Sequence, residues 1–437
     1  MNLNNCLTFG VRPLFEFIMT VILFALPAFF ILIALELFWD WKKRTGHYRV
    51  NDAVTSLSAG VLSRVVAIGH QLIPFTAYVI AYEYIALFEL SNAWWVWIVA
   101  FIAYDFFYYW NHRMGHEMSI LWAAHVVHHS SEDYNLTTAL RQTSGALFSW
   151  VFYLPLAVAG FSPKMIITVG ALNLVYQFWV HTQHIDTLGW MEKVFVTPSN
   201  HRVHHAQNRV YIDKNYGGVF ILWDRLFGTF IPELGNEKPV FGIRGALKSF
   251  NPLMANIQVY SRLARDSYYT SRWIDKFKVW FGRTGWRPAD VAERFPEEKL
   301  PLNVFEKYDP QLSGSVKKYC VFQHAVMLAI TVFLLLNVSV LSASQVLVLS
   351  ATVIMCSIQI GTVLSGSKFA LALEGPRLLV FPLMWFASGL GNVAIVFGAL
   401  SAVSLTLLMC VIRKGDIRRT YTAADRRSNT SQVTTEL

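Results

Sequence analysis

Ten of the thirteen histidines fall between His112 and His205, in four sets that read HRMGH, HVVHH, HTQH and HRVHH. They are His112 and His116; His125, His128 and His129; His181 and His184; His201, His204 and His205. Within each set a histidine has a partner three or four residues away, which on a helix is the same face one turn along. Several ring nitrogens can then converge on one ion. A zinc site takes four ligands, or three and a water when catalytic, so ten imidazoles suit two metal ions. Imidazole alone does not select among iron, zinc, copper and nickel. Glu-x-x-His carboxylates of the kind that fill ferritin-like di-iron bundles are scarce, with Glu117, Glu132 and Asp133 the acids beside the first two motifs. A set of core histidines or a metal-buffering tract would use the same residues without catalysis, but four regular sets at this density favour a site.

These sets, interleaved with apolar segments, resemble the membrane fatty acid hydroxylase and sterol desaturase superfamily. The strings HRMGHEMSILWAAHVVHHSSEDYNLTTALRQ and TPSNHRVHHAQNRVYIDKNYGGVFILWDRLFGTF are similar to its ether-lipid branch, over residues 94 to 232. The resemblance implies two iron ions, dioxygen and a membrane lipid whose C–H bond is hydroxylated. In the ether-lipid branch that bond is on the carbon next to the ether oxygen of an alkylglycerol, and the products are a fatty aldehyde and a glycerol derivative. Reduced pterin, tetrahydrobiopterin, is the electron source there, whereas sterol and fatty acyl members use an external electron donor protein. Ligand roles pass by resemblance to His112, His116, His125, His128, His129, His201, His204 and His205, and also to His181, while the position of His184 is less regularly histidine in relatives. Two other readings remain open: a sterol or fatty acyl hydroxylase or desaturase with the same catalyst, and a histidine-rich metal transporter.

The elements that must position these histidines are membrane helices. The chain is 54% hydrophobic and 15% charged, with mean hydropathy +0.39, which describes an integral membrane protein. Its formal charge of +9 sits beside apolar spans as membrane-flanking charge does, and no nucleic-acid motif accompanies it. Cys6, Cys320, Cys356 and Cys410 have no CxxC spacing and read as packing residues. Apolar spans are expected at residues 15–39, within 53–90, at 94–110, 145–161 and 165–180, then at 320–338, 343–364, 371–385 and 390–411. The pair 145–161 and 165–180 reads as a hairpin that crosses and returns, so all four histidine sets share one face. The fold expected is an all-α, multi-span helical bundle of about nine spans with a helical cytoplasmic cap carrying a di-metal site. Its divisions are residues 1–93, N-terminal spans; 94–235, the histidine core; 236–318, the cap; 319–412, C-terminal spans; and 413–437, a basic and disordered tail. The site faces the cytoplasm, in the endoplasmic reticulum of a eukaryote or the inner membrane of a bacterium.

Metal-bound histidines commonly donate their second ring nitrogen to a carboxylate or carbonyl. Asp105, Glu117, Glu132, Asp133, Asp213 and Asp224 are candidates for that role, and Asp105 and Glu117 are also the candidate catalytic acids. Asp105 precedes His112 by about 10 Å of helix, so any histidine it orients belongs to another element. Asn135, Arg141, Asn215 and Tyr216 are candidates for holding a headgroup or cofactor, or equally for loop structure. His47, His70 and His324 stand alone and read as non-ligands. Trp273, Phe277, Trp280 and Phe281 alternate with Arg272, Lys276, Lys278 and Arg283, the pattern of a helix lying in the membrane interface or of an ordinary packed helix. Gly389, Gly391 and Ala394 spell GxGxxA without a preceding strand, and His116–Glu117 begins an HExxH that Ile120 breaks. Neither carries a function.

Overall fold

The computed structural model describes residues 12–70, 72–145, 148–297, 301–367 and 370–413. Cys6 and the tail beyond residue 413 lie outside the described residues, as does the side chain of His70. The described chain is helical, with isolated β-bridges and no strands. In chain order the helices used below are α1 (Arg12–Lys43), α2 (Val50–His70), α3 (Leu72–Ile85), α4 (Trp94–Glu117), α5 (Ser119–His129), α6 (Leu136–Ala139), α7 (Leu154–Val158), α8 (Pro163–Trp179) and α9 (Pro198–His204). They continue with α10 (Leu222–Leu226), α11 (Pro252–Tyr269), α12 (Trp273–Phe281), α13 (Ala289–Arg294), α14 (Gly314–Asn337), α15 (Ala343–Leu364), α16 (Ala370–Ala387) and α17 (Asn392–Arg413).

Four described segments, Val50–Gly69, Gly314–Asn337, Ala343–Leu364 and Asn392–Val411, are long and apolar enough to cross a membrane. The expected crossing at 145–161 takes a different form. It is a five-residue 3-10 turn, Ser149–Tyr153, running into the five-residue α7, about 15 Å of helix where a bilayer core needs about 30 Å. Pro155 stands in the first turn of α7, where a residue without an N–H is tolerated, and this limits how far an α-helix extends backwards. Its partner α8 starts as its sequence suggests, with the Ser162 hydroxyl accepting from Met165 N and Pro163 in the first turn.

The chain divides into two compact units. The first comprises Met1–Tyr48, Ala67–Ala246 and Asn256–Phe305. Its apolar core joins Tyr78 and Ala81 of α3, Val96 and Ala100 of α4, Leu156 and Ala157 of α7, and Met165, Ile166 and Val169 of α8. Between membrane helices apolar packing gains nothing from transfer out of water, so close van der Waals contact holds α4 and α8 side by side. Gly160 turns the chain between α7 and α8 at φ +89°, where a Cβ would lie 1.9 Å from the Phe88 carbonyl oxygen. Only glycine fits that approach. The helix anticipated around Trp273 is α12; Val279 on one face packs with Ala123 and Val126 of α5, and Trp273, Ile274, Phe277 and Phe281 are exposed on the other.

The second unit comprises Arg49–Val66, Leu247–Ala255 and Glu306–Leu437. It holds α14 to α17. Ser342 and Gln345 form a capping box at the start of α15, satisfying backbone donors that a helix start leaves open. Between these helices Arg377 is paired with Glu374 at 2.7 Å, both nearly inaccessible, and donates to Gln323 Oε1 and Cys356 Sγ. Buried charges persist when paired and fully hydrogen-bonded. His324 is buried in its apolar span, and its Nδ1 meets the Ser58 hydroxyl at 3.0 Å.

Candidate metal centre

α4 delivers His112 and His116 one turn apart at its C-terminal end, and the chain breaks at Met118, which is extended. α5 then starts in a new direction and carries His125, His128 and His129 in its final turns. His181 follows the end of α8. α9 opens on Pro198 and supplies His201 and His204, with His205 as its C-cap. Nine of the ten expected histidines meet in two adjoining groups, in each of which the candidate ligand atoms lie within 4.8 Å of one another. One group is His112, His116, His125, His129 and His204; the other is His128, His181, His201 and His205. Each HxxHH motif is split between them. Its first and last histidines, one turn apart, enter one group and its middle histidine the other. The groups touch through His129 and His205, whose rings stack at 4.2 Å between centroids.

The ring nitrogens show what the groups are built to hold. His128 Nδ1 lies 3.0 Å from the Arg141 carbonyl oxygen, and His181 Nδ1 lies 2.7 Å from that of Gln177. A carbonyl only accepts, so both Nδ1 atoms carry the proton and both Nε2 atoms are bare lone pairs in the neutral rings. Yet those two Nε2 atoms face each other at 3.2 Å. Two lone pairs at that distance repel unless a cation lies between them. A proton is a poor cation here, because burial pushes the His128 imidazole down to about 4 and His112 down to about 3, the carbonyl contacts offsetting only part of that. The remaining cluster imidazoles are lowered well below their ordinary value for the same reason. In addition, His116 Nε2, His204 Nε2 and His205 Nε2 are buried without a hydrogen-bond partner. Neutral imidazoles with inward lone pairs and orphaned nitrogens fit transition-metal ions.

The main chain does the aiming. His112 Nδ1 donates to the Tyr216 carbonyl at 2.7 Å, and His204 Nδ1 to the Lys214 carbonyl at 3.0 Å. Between those carbonyls Asn215 adopts a left-handed conformation, φ 54°, and its side chain is tied to Asn200 O and to both Ile231 backbone groups. Asp224 accepts from Tyr216 N, Gly217 N and the Thr229 hydroxyl, each at 2.7 Å; burial nevertheless raises its carboxyl to about 6. Asp105 accepts from Asn173 Nδ2, Val219 N, Phe220 N and Trp223 Nε1 at 2.7–3.0 Å. Gly218 allows that approach, since a Cβ there would sit 2.8 Å from Asp105 Oδ1.

The expected acids thus serve in different ways. Asp105 holds the 218–223 loop, and Glu117 pairs with Arg113 at 3.0 Å and receives the Tyr216 hydroxyl at 3.4 Å. Their described hydrogen bonds involve no imidazole. Asp213 pairs with Arg283 at 3.3 Å. Glu132 and Asp133 are buried in the turn after α5, which the Asp133 carbonyl fastens by accepting from Ser131 and Thr138. Asn135 caps α6 and donates to the His47 carbonyl. Arg141 ties its guanidinium to Val127 O and Ser130. His184 stands apart from both groups, beside Asp40 and His47. The sequence reading missed Trp122, whose ring lies 5.2 Å from His116, and Tyr134, 5.2 Å from His205. It also missed the carbonyls of Arg141, Gln177, Lys214 and Tyr216, which leave no side-chain signal.

Helices of membrane-crossing length joined to two converging imidazole groups define an integral membrane protein with a site suited to metal. Residues 97–229 match the fatty acid hydroxylase family. The chain is 40% identical to human (Homo sapiens) alkylglycerol monooxygenase over 369 residues, 83% of this chain and 81% of that protein. It is 37% identical to the zebrafish (Danio rerio) alkylglycerol monooxygenase over 371 residues, 82% of this chain and 81% of that one. Ornithine lipid hydroxylase OlsE of Rhizobium tropici is 29% identical over 238 residues, 52% of this chain and 70% of that protein. No solved structure matches the chain. The chain belongs to the fatty acid hydroxylase family, with the alkylglycerol monooxygenases, and is a membrane lipid monooxygenase, an oxidoreductase.

Proposed function

We propose that this protein hydroxylates the carbon next to the ether oxygen of an alkylglycerol lipid. One atom of dioxygen enters that C–H bond and the other leaves as water, with two electrons and two protons supplied by a reductant. The resulting hemiacetal collapses to a fatty aldehyde and a free glycerol hydroxyl. The observation that carries this reading is the division of nine imidazoles into groups of five and four, taken with relatives named for that activity.

His112, His116, His125, His129 and His204 would hold one iron ion, and His128, His181, His201 and His205 the other. Iron on neutral imidazoles supplies reductive activation of dioxygen strong enough to oxidise an unactivated C–H bond. The chain's own part is to keep each lone pair aimed inward through the carbonyls of Arg141, Gln177, Lys214 and Tyr216. Asp105 and Asp224 then act as positioning residues for the loop that carries two of those carbonyls. A cavity of about 140 Å³ lined by Trp122, Arg244, Gln258 and Arg262 offers a polar wall beside the group of five and suits the polar end of the lipid, with its chain in the bilayer. Tetrahydrobiopterin is the proposed reductant. The proposed topology keeps every histidine set on the cytoplasmic side, with the pair 145–161 and 165–180 entering the membrane from that face and returning to it.

The test is an anaerobic preparation analysed for iron and assayed with alkylglycerol, dioxygen and tetrahydropterin. Two irons per chain and oxygen-dependent release of fatty aldehyde are expected. Oxidation of sterols or acyl lipids with a protein electron donor, and none of ether lipids under any reductant, would move the chain to the sterol and fatty acyl branch. The match to an ornithine lipid hydroxylase makes acyl lipids the informative comparison.

A further inference from the structure

Asp40, His47 and His184 form a third group whose candidate ligand atoms lie within 4.8 Å of one another. Asp40 is in the last turn of α1 and is 7% exposed. The chain then reverses through Arg44 at φ 53° and Gly46 at φ 72°, which returns His47 to the aspartate. The Thr45 hydroxyl and His47 N donate to Asp40 Oδ1 at 2.6 and 2.8 Å, fixing the carboxylate, while Oδ2 accepts from no group among the described residues. His184 arrives from the turn after α8, where its backbone N–H donates to the Thr182 hydroxyl. Its Nε2 is buried with no hydrogen-bond partner and lies 3.8 Å from Asp40 Oδ1, beyond hydrogen-bond range. The His47 and His184 rings meet edge-on at 5.0 Å. Their spacing leaves a carboxylate and an orphaned imidazole facing each other across a gap of ionic width.

We propose that Asp40, His47 and His184 bind a third ion, a divalent cation of the zinc class, separate from the two imidazole groups. Two imidazoles with one carboxylate are a common zinc ligand set, and bonds of about 2.0–2.2 Å from each side span such a gap with small adjustments. The ligands come from the end of α1, the loop after it and the turn that also carries His181. The ion therefore clips the first helix to the segment that supplies one imidazole of the group of four. It explains why His184, spaced like a ligand in HTQH, stands outside both groups. This proposal does not depend on the identity of the lipid or of the metals in the other two groups.

The test is metal analysis of the full chain in detergent after exposure to Zn²⁺ at stoichiometric concentration and gel filtration. Wild type should retain one zinc ion per chain beyond the content of the two imidazole groups. H184Q and H47Q should each lose that ion, taking the extra zinc from about one to below about 0.1 per chain, while iron stays as in wild type. H184C restores a zinc ligand at the same place and should recover the ion, which separates ligation from misfolding. Wild type with no ion beyond those groups, or H184Q and H47Q with full zinc, would overturn the proposal. Unchanged iron with lost zinc, or the reverse, distinguishes this site from the oxygenase centre.

Discussion

Asp224→Asn tests whether the main chain aims the group of five. The wild-type carboxylate receives Tyr216 N, Gly217 N and the Thr229 hydroxyl, all at 2.7 Å, and so fixes the Tyr216 carbonyl on His112 Nδ1. Asparagine keeps one acceptor oxygen and turns an amide N–H group toward a backbone donor. Hydrogen bonds to a charged acceptor contribute about 1.5–3 kcal/mol each, so losing one or two weakens the loop by about 1.5–6 kcal/mol. Loss of an outer partner of a ligating histidine lowers metal affinity about 10–100-fold, and the effect should fall on the ion held with His112 and His204. An ion held by His128 and His181 would lean on the carbonyls of Arg141 and Gln177 and should keep its affinity. Dialysis against graded chelator, followed by metal analysis per chain, reads both ions at once. Equal loss at both, or no loss at either, would refute the reasoning.

His204→Ala and His205→Ala are neighbours in sequence but members of different groups, so each should release a different ion and both should abolish lipid oxidation while membrane insertion continues; spectra of singly loaded protein check this. In metal-free protein, acid should destabilise the fold. A folded His128 pKa of about 4 against about 6.5 unfolded means that the unfolded chain takes up the proton first. Stability is therefore full above pH 6.5 and falls as pH drops toward 4, by about 3 kcal/mol from His128 alone at about 1.4 kcal/mol per unit. Detergent unfolding at pH 7.5, 6 and 5 with the metals removed should show midpoints declining in that order, and bound metal should shift the decline to lower pH. Gly218→Ala would drive a methyl group to 2.8 Å from both Asp105 and the Tyr108 ring; thermal stability should fall by about 1–3 kcal/mol, with metal loss following rather than preceding it. An unshifted melting curve there would contradict the packing of the 218–223 loop on α4.

Much of this protein is legible in its sequence because the relevant physics is local. Long apolar runs such as Ala343–Leu364 announce membrane helices by length and composition, and i, i+4 pairs such as His112 with His116 announce shared helix faces. Caps at Ser162 and Ser342 are written in the same short-range code. The 145–161 segment misled because hydropathy reports burial and not helix length, and Pro155 limits the helix. Only the tertiary structure decides which imidazoles share an ion. Adjacent residues such as His128 and His129 point about 100° apart on a helix, so each HxxHH motif is split between the groups, and the angle between α4, α5 and α9 assigns its histidines. The same holds for the carbonyls of Lys214 and Tyr216. Every residue carries one, and what singles these out is a left-handed Asn215 braced from Asn200, Ile231 and, through Tyr216, Asp224. Distance in space also separates His184 from His181, three residues away, and gives it to Asp40 and His47, since the turn after α8 ends the helical register that would have kept the pair together.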